Sequence, residues 1–364
     1  MLLALMLLTV ACVPHPKKPR GKTTQVPQDA GAGTTVTTPA SNAGPGGSFS
    51  GVFVITDLDS AIDPLVFSNQ GVDGIVVRTT WKDTEAQPGQ YDWTFIDAEI
   101  NRASAKGKMV ILIVLPGAYT PAWAEEGAQT ATFTSKYGSS AGQTLILPIP
   151  WDSTYLGHWY DFVRALGARY DPNPTVVNVP AVGPTSISAE MSLPDTPEDV
   201  TQWISLGYTK DRYEAAWKQT LDIYMQTFPH KKVTLTLYPG LPIPNEAARE
   251  TVRQDLVDYG VRQYSAQFGI QTSGLSARKQ MDPRMGYDLV KSYAGKITTG
   301  FTLGTAASVK PQRLGGSDPR TALLDTINFG LEAGVKYLVI YEKDILDPAL
   351  KSTIQYAHLQ LTGQ

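Results

Sequence analysis

From Phe49 to its last residue, the chain repeats one pattern: a short run of β-branched and aliphatic residues, a loop, and a segment of helical periodicity. Such alternation predicts parallel strands joined by crossover helices. The predicted strands are Val52–Asp57, Gly74–Arg78, Met109–Leu115, Val176–Val182, Val233–Tyr238, Gly269–Ser273, Ile297–Leu303 and Tyr337–Tyr341. Eight strands close a TIM barrel, so the sequence predicts an α/β fold of the (β/α)8 type as a single domain over residues 49–364.

A doubly wound open sheet would also alternate strands with helices. Its nucleotide-binding form carries a glycine-rich phosphate loop after the first strand, and Asp57-Leu58-Asp59-Ser60 stands at that point here. Helical spacing of apolar residues is clearest at Ile96–Ala103 and Tyr155–Tyr170, which follow the second and third predicted strands. The barrel is therefore the preferred architecture.

The single cysteine of the chain, Cys12, directly follows an apolar stretch that ends in small residues. That stretch is too short to span a bilayer as a helix and has the length of a signal-peptide core. Val10-Ala11-Cys12 is similar to the end of a bacterial lipobox, so residues 1–12 are predicted to be a lipoprotein-type signal segment with Cys12 as the lipidation site. The alternative is an incidental apolar N-terminus with an inert thiol.

Residues 13–48 are rich in Pro, Gly, Thr, Ser and Ala and have no apolar periodicity. A segment of this composition cannot bury enough apolar surface to offset chain entropy, so it is predicted to be a disordered linker. Its basic group, which either touches anionic lipid head groups or is simply solvated, is Lys17, Lys18, Arg20 and Lys22. Lipidated Cys12 would hold the barrel on a membrane of the bacterial cell envelope, facing outside the cytoplasm.

Charge and residue spacing limit the classes of ligand. A net charge of -3 with 18% charged residues provides no basic stripe, so nucleic acid is not a predicted partner. The sequence offers no metal-ligand spacing, since it has no cysteine pair and its histidines lie far apart, at His15, His158, His230 and His358. Neither a metal nor a cofactor is predicted.

One stretch of the chain carries a family resemblance. Gly74–Trp81, followed by Gln87–Asp97 with its Pro-x-Gly-x-Tyr-Asp-Trp turn, resembles the second βα unit of clan A glycoside hydrolases, especially the family 42 β-galactosidase type. Thr120–Trp123 looks like the loop after strand three of that clan, and Tyr155–Tyr170 is similar to the helix before strand four. The resemblance implies a TIM barrel that acts on a carbohydrate.

The resembling segments also imply a sugar site at the barrel mouth. Arg78 and Trp81 would stand at the top of strand two, where a guanidinium can hold a carboxylate ionised and an indole can stack on a pyranose. Tyr119 and Trp123 would line the next loop. The alternatives are that Trp81 or Trp123 packs in the core and that Arg78 neutralises a buried neighbour.

Hydrolysis of a glycosidic bond requires two carboxyl groups. In the clan these are a Glu in an Asn-Glu pair after strand four and a second Glu after strand seven. Here Val182-Gly183 stands where Asn-Glu is expected, and the next carboxylate is Glu190. Strand seven ends at Leu303-Gly304 without a carboxylate, whereas strand eight is followed by Glu342. Glu190 and Glu342 are therefore the predicted catalytic pair, the alternatives being an exposed loop residue and an ion-pair partner of Lys343.

Other strand ends supply polar side chains that would surround a sugar ring. Asp57 follows strand one, Tyr238 closes strand five, Gln271 lies in strand six and Tyr341 ends strand eight. In a carbohydrate site these groups would donate and accept hydrogen bonds. The alternative is that they satisfy buried backbone groups.

Together these features predict a glycoside hydrolase that cleaves O-glycosidic bonds of a carbohydrate outside the cytoplasm. The alternative is a catalytically silent barrel that binds a glycan or has an assembly role on the cell surface. The missing Asn-Glu pair and the empty end of strand seven favour the alternative. The fold alone does not separate the two, because TIM barrels carry many functions.

Overall fold

The computed structural model describes residues 49–135, 141–243, 249–278 and 286–363. The lipobox-like segment with Cys12 and the linker at 13–48 lie outside these residues, so the anchor, the linker and the location in the cell envelope stay predictions. Across the described ranges, no helix is both long enough and apolar enough to cross a membrane.

Eight parallel strands form the central sheet, and they confirm the predicted TIM barrel. They follow the order β6-β3-β2-β1-β10-β9-β8-β7. Their bounds are β1 Gly51–Ile55, β2 Gly74–Thr80, β3 Met109–Leu115, β6 Val176–Asn178, β7 Val233–Thr236, β8 Phe268–Leu275, β9 Thr298–Leu303 and β10 Tyr337–Tyr341.

The barrel closes between β6 and β7. The backbone N–H of Val179 donates to the carbonyl of Lys232 at 3.0 Å, and that of Ala181 donates to Thr234 at 2.9 Å. Regular ladder pairing of the fourth barrel strand ends at Asn178, earlier than the predicted end at Val182. The remaining contacts are isolated bridges, yet they join the first and last strands of the sheet order.

Above these contacts the chain leaves the barrel wall at residues 182–189 and then returns to it. Glu190 forms a parallel bridge with Thr236, and the N–H of Met191 donates to the Thr236 carbonyl at 3.1 Å. The buried Tyr213 hydroxyl lies 3.2 Å from the Pro184 carbonyl and 3.1 Å from the Met191 carbonyl. One side chain therefore fixes both ends of the excursion.

Aromatic rings fill the lower part of the barrel. Phe53 of β1 and Tyr337 of β10 meet edge to face at 5.9 Å between ring centroids, and Phe49 packs against both. Gly300 of β9 lies under the Tyr337 ring, where an added Cβ would stand 2.2 Å from a ring carbon. Strands β1, β3 and β10 are nearly continuous apolar runs, as expected when both faces of a strand are buried, whereas β7 and β9 carry threonines at buried positions.

Helices surround the barrel and occupy most of the βα connections. The predicted helix at Tyr155–Tyr170 is observed at Ser153–Tyr170, with the Asp152 carboxylate accepting from the first-turn N–H groups as N-cap. The remaining helices are α1 Pro64–Phe67, α2 Trp81–Thr84, α3 Thr94–Ser104, α4 Ala122–Glu125, α6 Pro197–Ser205, α7 Lys210–Thr227, α8 Arg249–Tyr264, α9 Tyr287–Tyr293, α10 Pro319–Glu332, α11 Glu342–Ile345 and α12 Lys351–Thr362, with Ser153–Tyr170 as α5.

A two-stranded hairpin extends the connection between β3 and α5 and was not among the predicted elements. Its strands are β4 Thr130–Thr134 and β5 Thr144–Pro148, paired antiparallel. Burial alternates along β4, and the inward Phe133 stacks on Trp203 of α6 at 4.3 Å between centroids. The hairpin thereby docks on the helix that follows the excursion.

Close packing at Gly300 gives a stability prediction. Gly300→Ala should lower the free energy of unfolding by about 1–3 kcal/mol, because the new methyl group overlaps the Tyr337 ring. Gly157→Ala is the matched control, since Gly157 is exposed on α5 with open space around it. The control should gain about 0.5–1 kcal/mol from helix propensity. Urea unfolding measures both, and equal effects would contradict the described packing.

Candidate functional site

A cavity of about 680 Å³ opens at the carboxyl ends of β7, β8, β9 and β10. This is the face at which TIM barrels carry their functional groups. The excursion after β6 and the hairpin β4–β5 form its other walls. Its lining includes two tyrosines at strand ends and five charged side chains: Tyr238, Tyr341, Glu190, Asp195, Asp199, Arg278 and Arg313.

Glu190 lines this cavity and is half-buried. Its backbone is fixed locally, because the Thr185 hydroxyl donates to the Glu190 carbonyl and the N–H of Ser192 donates to the same carbonyl at 2.7 Å. Within the described ranges, its carboxylate accepts no hydrogen bond. The side chain is thus held at the cavity wall by its backbone, with its carboxylate available to a ligand.

Arg78 is the cation around which the predicted site residues gather. It lies near the end of β2, half-buried, and burial lowers the pKa of its guanidinium. The phenol of Tyr341, the carboxylates of Glu190 and Asp57, and the phenol of Tyr119 act in the opposite direction, in that order. These side chains come from four different connections, and the structure brings them within electrostatic range of one guanidinium.

The hydrogen bonding of Arg78 is incomplete. Its Nη2 donates to the carbonyl of Thr56, which follows β1. Its Nε is buried and has no hydrogen-bond partner in the part of the chain that the structure describes. A buried N–H donor without a partner is uncommon in native proteins, so this group is a candidate to bind a ligand or an ordered water.

Tyrosines supply neutral hydrogen-bonding groups around this cation. Burial raises the pKa of the Tyr341 phenol, with Arg78 opposing the rise, and burial likewise raises the pKa of Tyr119. Lys82 stands over the Tyr119 ring at 5.3 Å from its centroid. Both phenols therefore stay protonated at neutral pH and can donate as well as accept, as sugar hydroxyl groups require.

Glu342 does not join Glu190 at the cavity. It begins α11, and both of its carboxylate oxygens are engaged: Oε2 accepts from the Thr56 hydroxyl at 3.0 Å, and Oε1 accepts from the Asp63 N–H at 2.7 Å. These bonds tie the end of the last barrel strand to the loop after the first. This role in linking two loops differs from both predictions for Glu342, which were a catalytic position at the cavity and an ion pair with Lys343.

Trp81 and Trp123 belong to an aromatic cluster and do not line the cavity. The prediction that Trp81 stacks on a sugar was wrong, because Trp81 is fully buried, whereas the prediction for the half-buried Trp123 stays a prediction. Trp81 is fully buried, its indole N–H donates to Glu85 Oε2 at 2.8 Å, and its ring packs edge-on against Trp123 and Trp159. Trp123 donates to the Glu85 carbonyl at 3.1 Å and meets the His158 ring. No face of Trp81 remains for a sugar.

Gln271 is a packing residue as well. Its amide donates to the Thr236 hydroxyl at 2.8 Å and accepts from the Tyr337 hydroxyl at 2.6 Å. The second bond joins β8 to β10, which are not neighbours, so it crosses the inside of the barrel. The predicted sugar contact was therefore wrong.

Sequence reasoning missed the charged residues on the β8–β9 side of the cavity. Arg278 follows β8, and Arg313 lies in a short 3-10 helix, Pro311–Leu314, after β9. Ser276 links them, since its hydroxyl donates to the Arg313 carbonyl at 2.8 Å and accepts from the Arg278 N–H at 3.2 Å. Neither arginine stands in a motif or at a strand end, so no sequence pattern marked them.

Potential metal ligands do not cluster in the described ranges, where no group of three or more His, Cys, Asp or Glu side chains is placed to hold an ion.

Comparisons with known proteins bear on the class of the chain. The family model of glycoside hydrolase family 42, described as β-galactosidase, matches residues 66–220. This segment contains the motifs of the second and third βα units, so the resemblance to family 42 is confirmed over that part of the chain. The segment also contains Glu190. No curated protein sequence matches the chain.

Solved structures with similar folds include two xylanases and a β-galactosidase. Xylanase XynB from Paenibacillus barcinonensis is 13% identical, with 81% of this chain and 84% of that chain covered and a TM-score of 0.46. A psychrophilic family 10 endo-β-1,4-xylanase is 10% identical, with 86% and 96% covered and a TM-score of 0.49. The β-galactosidase from the psychrophilic Marinomonas ef1 is 11% identical, with 84% and 59% covered and a TM-score of 0.49.

The contacts of Glu342 give a prediction that separates a structural from a catalytic role. Glu342→Ala should lower the free energy of unfolding by about 1–3 kcal/mol, because the Thr56 hydroxyl and the Asp63 N–H lose a charged acceptor. Lys343→Ala, at the exposed neighbouring position, is the control and should change it by less than about 0.5 kcal/mol. Denaturant unfolding provides the measurement. An unchanged stability combined with lost turnover would return Glu342 to the catalytic pair.

Proposed function

We propose that this protein is a glycoside hydrolase whose cavity binds a carbohydrate and whose Glu190 is the general acid/base. The observation that supports this best is the position of Glu190. Its carboxylate lies at the cavity wall, within electrostatic range of Arg78 and Tyr341, and accepts no hydrogen bond from the described residues. A carboxyl group that acts on a leaving oxygen needs this kind of access.

The strand position of Glu190 supports the same role. The resemblance to clan A implies an acid/base Glu at the end of strand four. In this chain Glu190 follows strand four only after the excursion at residues 182–189. The bridge between Glu190 and Thr236 brings Glu190 back to the barrel wall between strands four and five. The departure from the family pattern is therefore an insertion before the Glu, with Ala189 where the family has Asn.

Surrounding groups suit a sugar. Tyr238 and Tyr341 offer aromatic surface with a hydroxyl at the edge, and the serines of the cavity lining donate and accept hydrogen bonds. Apolar side chains such as Leu193 and Leu303 complete the lining. Mixed apolar and hydroxyl surfaces of this kind match the two faces of a pyranose ring.

Hydrolysis also requires a second carboxyl group beside Glu190. Asp195 also lines the cavity, one residue before the N-cap of α6. The Asp199 carboxylate lines it too and takes part in the capping box of that helix. We assign Asp195 as the first partner to test and Glu342 as the second. Glu342 would first have to exchange its bonds to Thr56 and Asp63 for a place at the cavity.

A second candidate function, glycan binding without hydrolysis, is favoured by one observation. Strand seven ends at Leu303-Gly304, and this segment lines the cavity without contributing a carboxylate. In that case the same cavity would hold an oligosaccharide unchanged.

The acid/base proposal predicts that Glu190→Gln keeps the fold and lowers turnover at least about a hundredfold, because loss of a general acid or base typically costs roughly 10²–10⁴. The substrates are a panel of aryl glycosides and oligosaccharides, followed by release of the aryl group or of reducing ends. Asp195→Asn and Glu342→Gln test the second carboxyl group in parallel. Glu126→Gln, an exposed residue outside the cavity lining, is the control and should leave turnover unchanged.

Outcomes of this experiment separate the two functions. Unchanged turnover in Glu190→Gln would remove Glu190 from the chemistry. Wild-type protein that binds an oligosaccharide in the panel, yet cleaves none, would favour the glycan-binding function.

A further inference from the structure

Two arginines occupy the side of the cavity at which the clan places its second catalytic carboxylate. Arg278 follows β8 and Arg313 follows β9, and both line the cavity. The end of β9, strand seven of the barrel, contributes Leu303 and Gly304. This chain therefore presents positive charge on the side of the cavity where the clan presents a carboxylate.

The backbones of the two arginines are linked through one residue. Ser276 bonds to the backbone of both residues, so the loop after β8 and the 3-10 helix after β9 keep a fixed relation. Tyr341 lies within electrostatic range of Arg313 and of Arg78. The positive charge consequently extends from the cavity rim toward the partly unsatisfied Arg78.

Among the residues that the structure describes, no ion pair neutralises this charge. Within the described ranges, neither Arg278 nor Arg313 lies within salt-bridge distance of a carboxylate. The acidic side chains of the cavity, Glu190, Asp195 and Asp199, come from the connection after β6, whereas the arginines come from the connections after β8 and β9. The acidic and the basic side chains of the cavity thus come from separate elements.

Charge of this kind distinguishes among sugars. A neutral oligosaccharide that covered the arginines would displace their water without offering an ionic partner, which weakens binding. A carboxylate on the sugar ring would match the planar guanidinium groups with paired, charge-assisted hydrogen bonds.

We infer that the cavity is selective for an acidic glycan that contains hexuronate units, whose carboxylate is bound by Arg278 and Arg313. This inference rests on the proposed carbohydrate function and names its substrate class. The arginines act as specificity-determining groups, and Glu190 retains its separate role at the scissile bond.

Acidic oligosaccharides and their methyl esters test the inference, because the ester keeps the sugar and linkage and removes only the charge. A panel of hexuronate oligosaccharides, each with its fully methyl-esterified form, is titrated calorimetrically into the full-length protein. Wild-type protein should bind at least one acid roughly tenfold or more tightly than its ester. This preference should shrink as the salt concentration rises.

Variants assign the preference to its residues. Arg278→Gln and Arg313→Gln should each reduce the preference for the acid several-fold and leave binding of the ester nearly unchanged. Arg262→Gln is the matched control, because Arg262 is exposed in the last turn of α8 and does not line the cavity. Melting curves of each variant exclude a general loss of structure.

Each remaining outcome overturns a defined statement. Equal binding of acid and ester, or an acid preference that both variants retain, would overturn the acidic-glycan inference while leaving the proposed function in place. Binding of inorganic sulfate or free acetate as tightly as the oligosaccharide would overturn the glycan as ligand. Selective binding of an acidic oligosaccharide without cleavage would support the inference and contradict hydrolysis.

Discussion

Closure of the barrel between β6 and β7 is the constraint on which the site depends. Regular pairing of β6 ends at Asn178, so the seam is completed by isolated backbone bonds and by the return of the chain at Glu190. The Tyr213 hydroxyl contacts carbonyl groups at both ends of the excursion and fixes its width. Because the same return closes the barrel and delivers the carboxylate, the position of Glu190 is coupled to the stability of the fold.

Strand-end side chains divide between holding the barrel and facing the cavity. Glu342 and Gln271 form hydrogen bonds between elements, and Trp81 packs in the aromatic cluster. Glu190 and Tyr341 remain at the cavity wall. A carboxylate that already accepts two hydrogen bonds loses them when it turns to a substrate, whereas one without such bonds does not. This difference is the physical reason for placing the chemistry on Glu190.

The spacing of apolar residues in the sequence was sufficient to predict the fold. Barrel strands such as β1, β3 and β10 are buried on both faces and have apolar sequences, and the long α5 was marked by its spacing. Orientation of side chains was less predictable. Trp81 directly follows a strand, as a sugar-stacking residue would, but it begins α2 and turns into the core.

Other parts of the site depend on contacts between loops. Arg278 and Arg313 are separated by more than thirty positions and are linked through the Ser276 side chain, so no local pattern could relate them. The hairpin β4–β5 packs on α6 through Phe133 and Trp203, again a contact distant in sequence. Sequence patterns therefore named Glu190, Tyr238 and Tyr341, which line the cavity, but not Arg278, Arg313 or the hairpin.

The most direct measurement is a crystal structure of the protein with a bound oligosaccharide. The account predicts a sugar ring in the cavity between the excursion and β8–β10, with an oxygen of the sugar about 2.6–3.2 Å from the Glu190 carboxylate. A sugar seated elsewhere, for instance in the groove beside Leu65 and Lys351, with Glu190 making no contact, would contradict it.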